Sequence, residues 1–215
     1  NCKYSDMTVF SFHPVKTITT GEGGAITTND EVLYKRLLQL RSHGMTKDSQ
    51  LLTQNPGPWY YEMHTLGFNY RMTDMQAALG YSQLGKLSSF RERRQHIVNQ
   101  YNTAFAGMPH VKLPYRNSEQ VSCFHLYVLQ IDFERLGKSR KDFMKELENR
   151  EIGTQVHYIP VHTQPYYKTH YGYKTGDYPI AERYYERALS IPLYPAMSDS
   201  DIQKVIDTIK EVIHK

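Results

Sequence analysis

A lysine and a serine lie close together in "VFSFHPVKTITTGEGGAITTND", residues 9 to 30. Ser11 is near the end of an apolar run, and Lys16 follows five residues later, just after His13 and Pro14. A lysine that loses its proton in a protein interior can form a Schiff base with an aldehyde cofactor, and a nearby hydroxyl can bind that cofactor's phosphate. The alternative to a Schiff-base lysine is that Lys16 is an ordinary surface lysine in a loop.

The glycines of "TGEGG", residues 20 to 24, suggest a second interpretation, a phosphate-binding loop. Such loops place their glycines after a strand and before a helix, whose N-terminus supplies N–H groups to the phosphate. Here "GAITTN" follows, which has the composition of a strand, and no Gly-Lys-Ser/Thr is present. We therefore expect the glycines to form a tight turn between two strands, "MTVFSF" and "GAITTN".

The bulk properties exclude several classes of function. The 215 residues are 40% hydrophobic, and 26 basic and 22 acidic residues give a formal charge of +4. These charges are interspersed, whereas nucleic-acid-binding proteins concentrate lysine and arginine on one face, so we expect no nucleic acid partner. The sequence contains no apolar run long enough for a membrane span, and two cysteines, Cys2 and Cys123, favour a reducing compartment. We expect a cytoplasmic protein without a membrane partner.

The N-terminal half of the sequence predicts helices as well as the two strands. "NDEVLYKRLLQLRSHG" opens with a capping residue, repeats leucines at helical spacing and stops at Gly44. Residues 44 to 66 read as an irregular loop. "TDMQ" at residues 73 to 76 is a capping-box pattern that opens a long helical region, with a break near Ser88 and Ser89.

The C-terminal half of the sequence contains both strand and helix patterns, as expected of a smaller α+β unit, and we place a domain boundary near residue 107. "CFHLYVLQID" and "GTQVHYI" read as strands, and "SRKDFMKELENR" as a capped helix. "SDSDIQKVIDTIKEVI" predicts a helix capped by Ser198. Its isoleucines and valines lie on one face, which we expect to be buried.

Several motifs together resemble one protein family. They are "SFHPVKTITTGEGGA", "LRSHGM", "LGFNYRMTDMQAALGYSQL", "HLYVLQI", "TQVHYIPVH" and "ALSIPLYPAMSDSDI", which occur in this order along nearly the whole chain. The sequence resembles the DegT/DnrJ/EryC/StrS family of sugar aminotransferases, which use pyridoxal 5'-phosphate (PLP). Within the family it is most similar to the transaminases of pseudaminic acid biosynthesis. These make UDP-4-amino-4,6-dideoxy-N-acetyl-β-L-altrosamine.

The resemblance implies the fold. It is an α/β protein of PLP-dependent transferase fold type I, aspartate aminotransferase-like, with its N-terminal half missing. Residues 1–80 would be the remainder of the large PLP-binding domain, residues 81–107 a connecting helix, and residues 108–215 a small C-terminal α+β domain. The chain starts without methionine, close to a predicted core strand, so we expect further sequence upstream.

The resemblance also implies the cofactor site and the reaction. Lys16 would carry PLP as an internal Schiff base and move the proton during transamination, Ser11 would bind the cofactor phosphate, and Asn69 would reach the phosphate from the neighbouring subunit. The protein would therefore be a homodimer with a shared active site. L-glutamate would be the amino donor and a UDP-linked 4-keto-6-deoxy-N-acetyl-hexosamine the acceptor.

The segment "QVHY" resembles part of the family's sugar-nucleotide site, so Gln155, His157 and Tyr158 are the substrate-binding candidates. The aspartate that pairs with the pyridine nitrogen in the family would lie in the missing half. We therefore expect the 215 residues alone to be inactive.

Three alternatives remain open at this point. The acceptor could be another nucleotide-linked keto sugar, such as a perosamine or 4-amino-arabinose precursor. A dehydratase of the same fold is disfavoured, because those members replace the lysine with histidine and Lys16 is present. The truncated chain could instead act as a non-catalytic binding or assembly module. No motif predicts a metal site.

Overall fold

The computed structural model describes residues 2–117 and 121–214, which form two compact units. The first unit comprises Asn1–Leu87 and the second Ser88–Lys215. Each unit is described by itself below. The domain limits at residues 80 and 107 stay predictions.

The first unit begins with the predicted hairpin. Strands β1 (Met7–Ser11) and β2 (Gly24–Thr28) pair antiparallel, with Val9 opposite Ile26 and Ser11 opposite Gly24. Helix α1 (Glu31–Arg41) follows, and the Asp30 carboxylate caps it by accepting the N–H groups of Val32 and Leu33. The two predicted strands and the capped helix are confirmed, but the connection between the strands runs from Phe12 to Gly23, so the expected tight glycine turn is wrong.

The rest of the first unit departs from the sequence prediction in one place. Residues 44–66 are not wholly irregular, because β3 (Met45–Thr46) and β4 (Glu62–Met63) form a short antiparallel pair at the two ends of the loop. Helix α2 (Asp74–Leu84) then begins at the predicted capping box, in which Thr73 and Gln76 satisfy each other's backbone N–H groups.

Buried residues are scarce in the first unit. Among its described residues only Thr20 and Gly44 are buried. Val9 and Ile26 on one face of the hairpin are 74% and 47% exposed, and Met75 at the start of α2 is 83% exposed. The first unit therefore presents apolar surface of a kind that compact proteins usually cover.

Helix α3 (Leu87–Phe105) starts earlier than predicted. The helical region breaks at Gly85 and Lys86, where α2 ends with Gly85 as its C-cap, and α3 runs through Ser88 and Ser89 without interruption. The predicted break in the helical region is therefore confirmed, but it lies just before Ser88 and Ser89 rather than at them. Glycine, which favours helix ends, is a better signal than the serine pair.

The second unit contains a three-stranded antiparallel sheet in the order β5 (Val111–Lys112), β6 (Tyr127–Ile131) and β7 (Ala188–Ile191). The prediction of a strand across "GTQVHYI" is wrong. That segment makes only an isolated bridge between Gln155 and Ser190. The Val156 N–H donates to the Gln155 side chain at 2.9 Å.

The second unit also contains further helices besides α3. They are α4 (Phe133–Leu136), α5 (Arg140–Glu148), the 3₁₀ helix Val161–Thr163, α6 (Pro165–Tyr171), α7 (Pro179–Arg187) and α8 (Asp199–His214). The Ser198 hydroxyl accepts the Asp201 N–H at 3.1 Å, and the Asp201 carboxylate accepts the Ser198 N–H at 2.8 Å. The predicted cap of α8 is therefore confirmed.

The hydrophobic core of the described residues lies in the second unit. The predicted face of α8 is buried, and it packs with residues of α3, β6, α5 and β7; the largest fully buried side chains include Tyr101, Tyr127, Phe105, Phe143, Leu129, Leu147, Ile202 and Ile209. Burial of this face agrees with the sequence pattern. Within the described ranges, no helix is both long and apolar enough to cross a lipid bilayer.

Candidate active site

Lys16 lies in the connection between β1 and β2. The chain leaves β1 through Phe12, whose N–H donates to Gly23 O at 2.9 Å and whose carbonyl accepts the Thr20 N–H at 3.0 Å. In the segment enclosed by these two hydrogen bonds, the Lys16 N–H donates to His13 O at 2.9 Å, which closes a turn. Lys16 is partly buried. The lysine is thus mounted on a hydrogen-bonded turn at the end of a hairpin.

Ser11 ends β1 directly opposite Gly24. A side chain on Gly24 would place its Cβ 2.7 Å from the Phe10 carbonyl oxygen, so this register requires glycine. Ser11 is exposed, and its hydroxyl accepts the His13 N–H at 3.4 Å. The hairpin therefore carries a hydroxyl and a primary amine at the same end.

Hydroxyl and amide contacts hold this turn in shape. Thr19 Oγ1 donates to Phe12 O at 3.0 Å and accepts the Gly21 N–H at 2.9 Å, and Thr20 Oγ1 donates to Glu22 O at 2.8 Å. The Gln76 amide of α2 donates to the same Glu22 carbonyl at 2.9 Å. These hydrogen bonds were not predicted from the sequence, in which the threonine-rich run "TITT" was their only indication.

A phosphorylated aldehyde cofactor requires an amine for covalent attachment and small hydrogen-bonding groups for its phosphate. Lys16 supplies the amine and Ser11 supplies a hydroxyl five residues away on the same hairpin. Gly24 keeps a side chain off the Phe10 carbonyl, and Gly21 adopts a left-handed φ of 80°. The residues present therefore fit such a group.

Asn69 is held at the C-terminal end of α1. The N–H groups of its neighbours, Phe68 and Tyr70, donate to Leu40 O at 2.7 Å and Arg41 O at 2.9 Å. Asn69 itself is exposed. Because the Asn69 side chain is exposed and the backbone on both sides of it is hydrogen-bonded, this amide is suited to contact another molecule.

Gln155, His157 and Tyr158 lie in the second unit beside β7. Gln155 exchanges two backbone hydrogen bonds with Ser190, at 3.1 and 2.8 Å, and His157 Nδ1 lies 2.7 Å from Ser190 Oγ. The His157 and Tyr158 rings meet edge to face with centroids 4.6 Å apart, and Tyr158 is 69% exposed. The structure brings these three candidates together on one segment.

A largely buried acid–base pair follows this segment. His162 in the 3₁₀ helix lies against Glu182 of α7, and the imidazole also packs against the Tyr178 ring with centroids 4.7 Å apart. Neither Ser190 nor Glu182 was among the residues predicted from sequence. The motif "ALSIPLYP" contains Ser190 but gives no sign of its contact with His157.

The structure thus places Lys16, Ser11 and Asn69 in the first unit and Gln155, His157 and Tyr158 in the second. Lys16 and Ser11 share a hairpin, and the last three share one segment. The roles assigned to all six stay predictions.

Comparison with known proteins identifies the family. The model of the DegT/DnrJ/EryC1/StrS aminotransferase family matches residues 1–210. The spore coat polysaccharide biosynthesis protein SpsC of Bacillus subtilis is 43% identical over 209 residues, which are 97% of this chain and 54% of SpsC. The chain therefore spans about half the length of the curated relatives it matches.

Solved structures agree with this match. PseC of Helicobacter pylori, an aminotransferase involved in the biosynthesis of pseudaminic acid, has a TM-score of 0.88 at 28% identity, covering 98% of this chain and 54% of PseC. The putative sugar aminotransferase Spr1654 of Streptococcus pneumoniae has a TM-score of 0.88 at 33% identity, covering all of this chain and 54% of its own. Spr1654 has been solved in PMP, PLP and apo forms.

These likenesses confirm the predicted fold class, a PLP-dependent transferase of fold type I of which this chain covers about half. They also confirm PLP as the cofactor of the family. The chain belongs to the DegT/DnrJ/EryC1/StrS aminotransferase family.

Proposed function

We propose that the protein to which this chain belongs transfers an amino group from L-glutamate to a UDP-linked 4-keto-6-deoxy-N-acetyl-hexosamine, in a pathway for the surface-glycan sugar pseudaminic acid. Membership of a sugar aminotransferase family and the likeness to PseC support this substrate class. The match to SpsC, a polysaccharide biosynthesis protein, supports a role in glycan assembly.

The observation that carries the proposal is the placement of Lys16 and Ser11 at one end of the β1–β2 hairpin. PLP, when bound, supplies the electron sink that makes the donor's α-proton acidic. Ser11 Oγ binds the cofactor phosphate. Lys16 Nζ holds the cofactor covalently between turnovers and, when released as the neutral amine, removes the proton from the donor's α-carbon.

The second group of residues holds the acceptor. The Gln155 amide and the His157 imidazole are hydrogen-bonding groups suited to the polar nucleotide sugar, and the exposed Tyr158 ring offers an apolar face to its sugar or uracil ring. Asn69 reaches the cofactor phosphate of the neighbouring subunit in a homodimer. Its exposure on a fixed backbone supports this role.

Reduction with borohydride tests the assignment of Lys16, because it converts a lysine Schiff base into a stable secondary amine. After incubation with PLP, mass spectrometry should find the cofactor on the peptide that contains Lys16. Lys16→Ala should abolish this label and all transamination, whereas Lys3→Ala, a change at an exposed lysine of the same unit, should leave both intact. Labelling elsewhere, or substantial turnover by Lys16→Ala, would contradict the proposal.

The same experiment on two samples tests whether activity requires sequence outside these 215 residues, as we expect. The protein encoded by the whole gene should be labelled and active, and the 215-residue chain alone should not turn over. Assay of the whole protein with different nucleotide-linked 4-keto sugars separates the pseudaminic acid precursor from perosamine and 4-amino-arabinose precursors. Full activity in the 215 residues would refute the expectation of a half-site.

A further inference from the structure

The hydroxyl of Ser190 lies in an otherwise apolar strand. Ser190 is 5% exposed, and the flanking residues of β7, Leu189 and Ile191, belong to the core. A buried hydroxyl is costly unless it is hydrogen-bonded, and alanine would fill the same position without that cost. Ser190 Oγ lies 2.7 Å from His157 Nδ1, so the hydroxyl is satisfied by the imidazole.

The backbone fixes both partners of this contact. Ser190 N–H donates to Gln155 O at 2.8 Å, and Gln155 N–H donates to Ser190 O at 3.1 Å. On its other side Ser190 is paired with Val128 of β6. The segment that carries His157 is therefore held in one register against β7, an edge strand of the sheet, and the serine hydroxyl adds a constraint on the imidazole ring itself.

An imidazole has two nitrogens with different roles. In the neutral ring one nitrogen donates and the other accepts; a serine hydroxyl can do either and so fits both tautomers, but its hydrogen bond fixes the rotation of the ring. A ring that contacts a ligand gains affinity when that orientation is fixed beforehand. A hydroxyl at Nδ1 supplies such a constraint.

We propose that Ser190 is a positioning residue, which fixes the ring orientation of His157 and so prepares this histidine for the nucleotide part of the substrate. The inference rests on the proposed function in so far as His157 contacts the substrate. The hydrogen bond between Ser190 and His157 does not depend on that function.

NMR of the imidazole tests the first part, because the Nδ1 shift reports its hydrogen bond and the nuclear Overhauser contacts of the ring protons report the ring rotation. In the 215-residue chain, the His157 ring should show one rotation. Ser190→Ala should shift the His157 Nδ1 resonance and give contacts from more than one ring rotation, and Ser190→Thr, which keeps the hydroxyl, should restore the original pattern. Thr208→Ala removes another buried hydroxyl of the same unit and should leave His157 unchanged. Unchanged His157 shifts in Ser190→Ala would overturn the proposal.

Calorimetric titration with UDP tests the second part. Ser190→Ala should weaken UDP binding about threefold to tenfold, as expected for one neutral hydrogen bond. His157→Ala should weaken it at least as much, and the double variant should bind no more weakly than His157→Ala, because the serine acts through the histidine. Additive losses, or wild-type affinity in Ser190→Ala beside a loss in His157→Ala, would overturn the proposal.

A different outcome would count against the proposed function instead. If neither substitution alters UDP binding, His157 does not contact the nucleotide and the proposed substrate site fails. The imidazole spectra then decide by themselves whether Ser190 fixes the ring.

Discussion

His162 Nε2 lies 2.8 Å from Glu182 Oε1, and only 8% and 15% of the two side chains are exposed. The two Glu182 oxygens also accept the Gly176 N–H at 2.8 and 2.9 Å. One carboxylate thus joins α7, the 3₁₀ helix and the loop before α7. The hydrogen bond from His162 and then the Gly176 N–H lower the pKa of Glu182, because both stabilise the charged form.

We expect Glu182→Ala to loosen the loop around Gly176 and lower Tm at pH 7. Because its pKa is lowered on folding, the carboxylate contributes its full stabilisation above its ordinary pKa of 4.5 and loses it as the pH falls through the folded value. The Tm difference from the wild type should therefore shrink in acid. Glu186→Ala removes an exposed carboxylate from the same helix and should change Tm little. Equal effects of the two substitutions would contradict the prediction.

Glu62 organises the loop between β3 and β4 in a similar way. Its carboxylate accepts the Thr53 hydroxyl at 2.5 Å and the Thr53 N–H at 2.8 Å, and it contacts His64 Nε2 at 2.7 Å and the Tyr60 hydroxyl at 3.1 Å. The Thr53 hydroxyl first, and His64 second, lower the pKa of Glu62 to about 2. A loop without regular structure is therefore tied to β4 by one side chain.

Hydrogen exchange at the Thr53 amide should report on this carboxylate. We expect protection of that amide at pH 7 to fall in Glu62→Gln, because the neutral amide is a weaker acceptor than the carboxylate. In the wild type the protection should persist at pH 4.5 and be lost as the pH falls toward 2, where Glu62 becomes protonated. Glu31→Gln, at an exposed position of α1, is the control. Loss of protection well above pH 4.5 would refute the assignment.

A buried arginine fixes the sheet on which Ser190 lies. Arg94 of α3 is 5% exposed, and its Nη1 lies 3.0, 3.3 and 2.9 Å from the carbonyl oxygens of Phe124, His125 and Leu193. Burial lowers the pKa of this guanidinium. These carbonyls lie just before β6 and just after β7, so one side chain binds the ends of two paired strands.

Arg94→Met should lower the free energy of unfolding by about 3 kcal/mol, because it leaves buried carbonyls without their charged donor. Urea denaturation measures this value. Arg91→Met changes an exposed arginine of the same helix and should cost less than about 0.5 kcal/mol. The role of Arg94 would be refuted if the two variants were equally stable.

The elements predicted well were those with local causes. The capping box at Thr73 and Gln76 and the apolar face of α8 are set by residues three or four positions apart, so the sequence displays them directly. Strand β7 was missed because it follows α7 without a turn, and its burial depends on a sheet built from distant residues. The supposed strand around Gln155 pairs with β7 at Gln155 alone, and no local feature of the sequence shows that the pairing stops there.

The contacts of the candidate site also divide into those between residues close in the sequence and those between residues far apart. Lys16 and Ser11 are five residues apart on one hairpin, so their proximity can be read directly from the order of residues. Ser190 is 33 residues from His157, and Glu182 is 20 residues from His162. Contacts between residues so far apart in the sequence form only when the chain folds, and no spacing rule predicts them.

The glycine opposite Ser11 offers the sharpest test of how the hairpin presents its hydroxyl. In Gly24→Ala the new Cβ would meet the Phe10 carbonyl oxygen at 2.7 Å, and since backbone cannot move aside cheaply, we expect local destabilisation of about 1–3 kcal/mol. Exchange of the Phe12 amide, which donates to Gly23 O, should then accelerate about tenfold or more. Gly153→Ala meets no atom within 4 Å and should leave exchange unchanged. If Gly24→Ala also left it unchanged, the β1–β2 register that sets Ser11 beside the Lys16 turn would not need glycine at position 24.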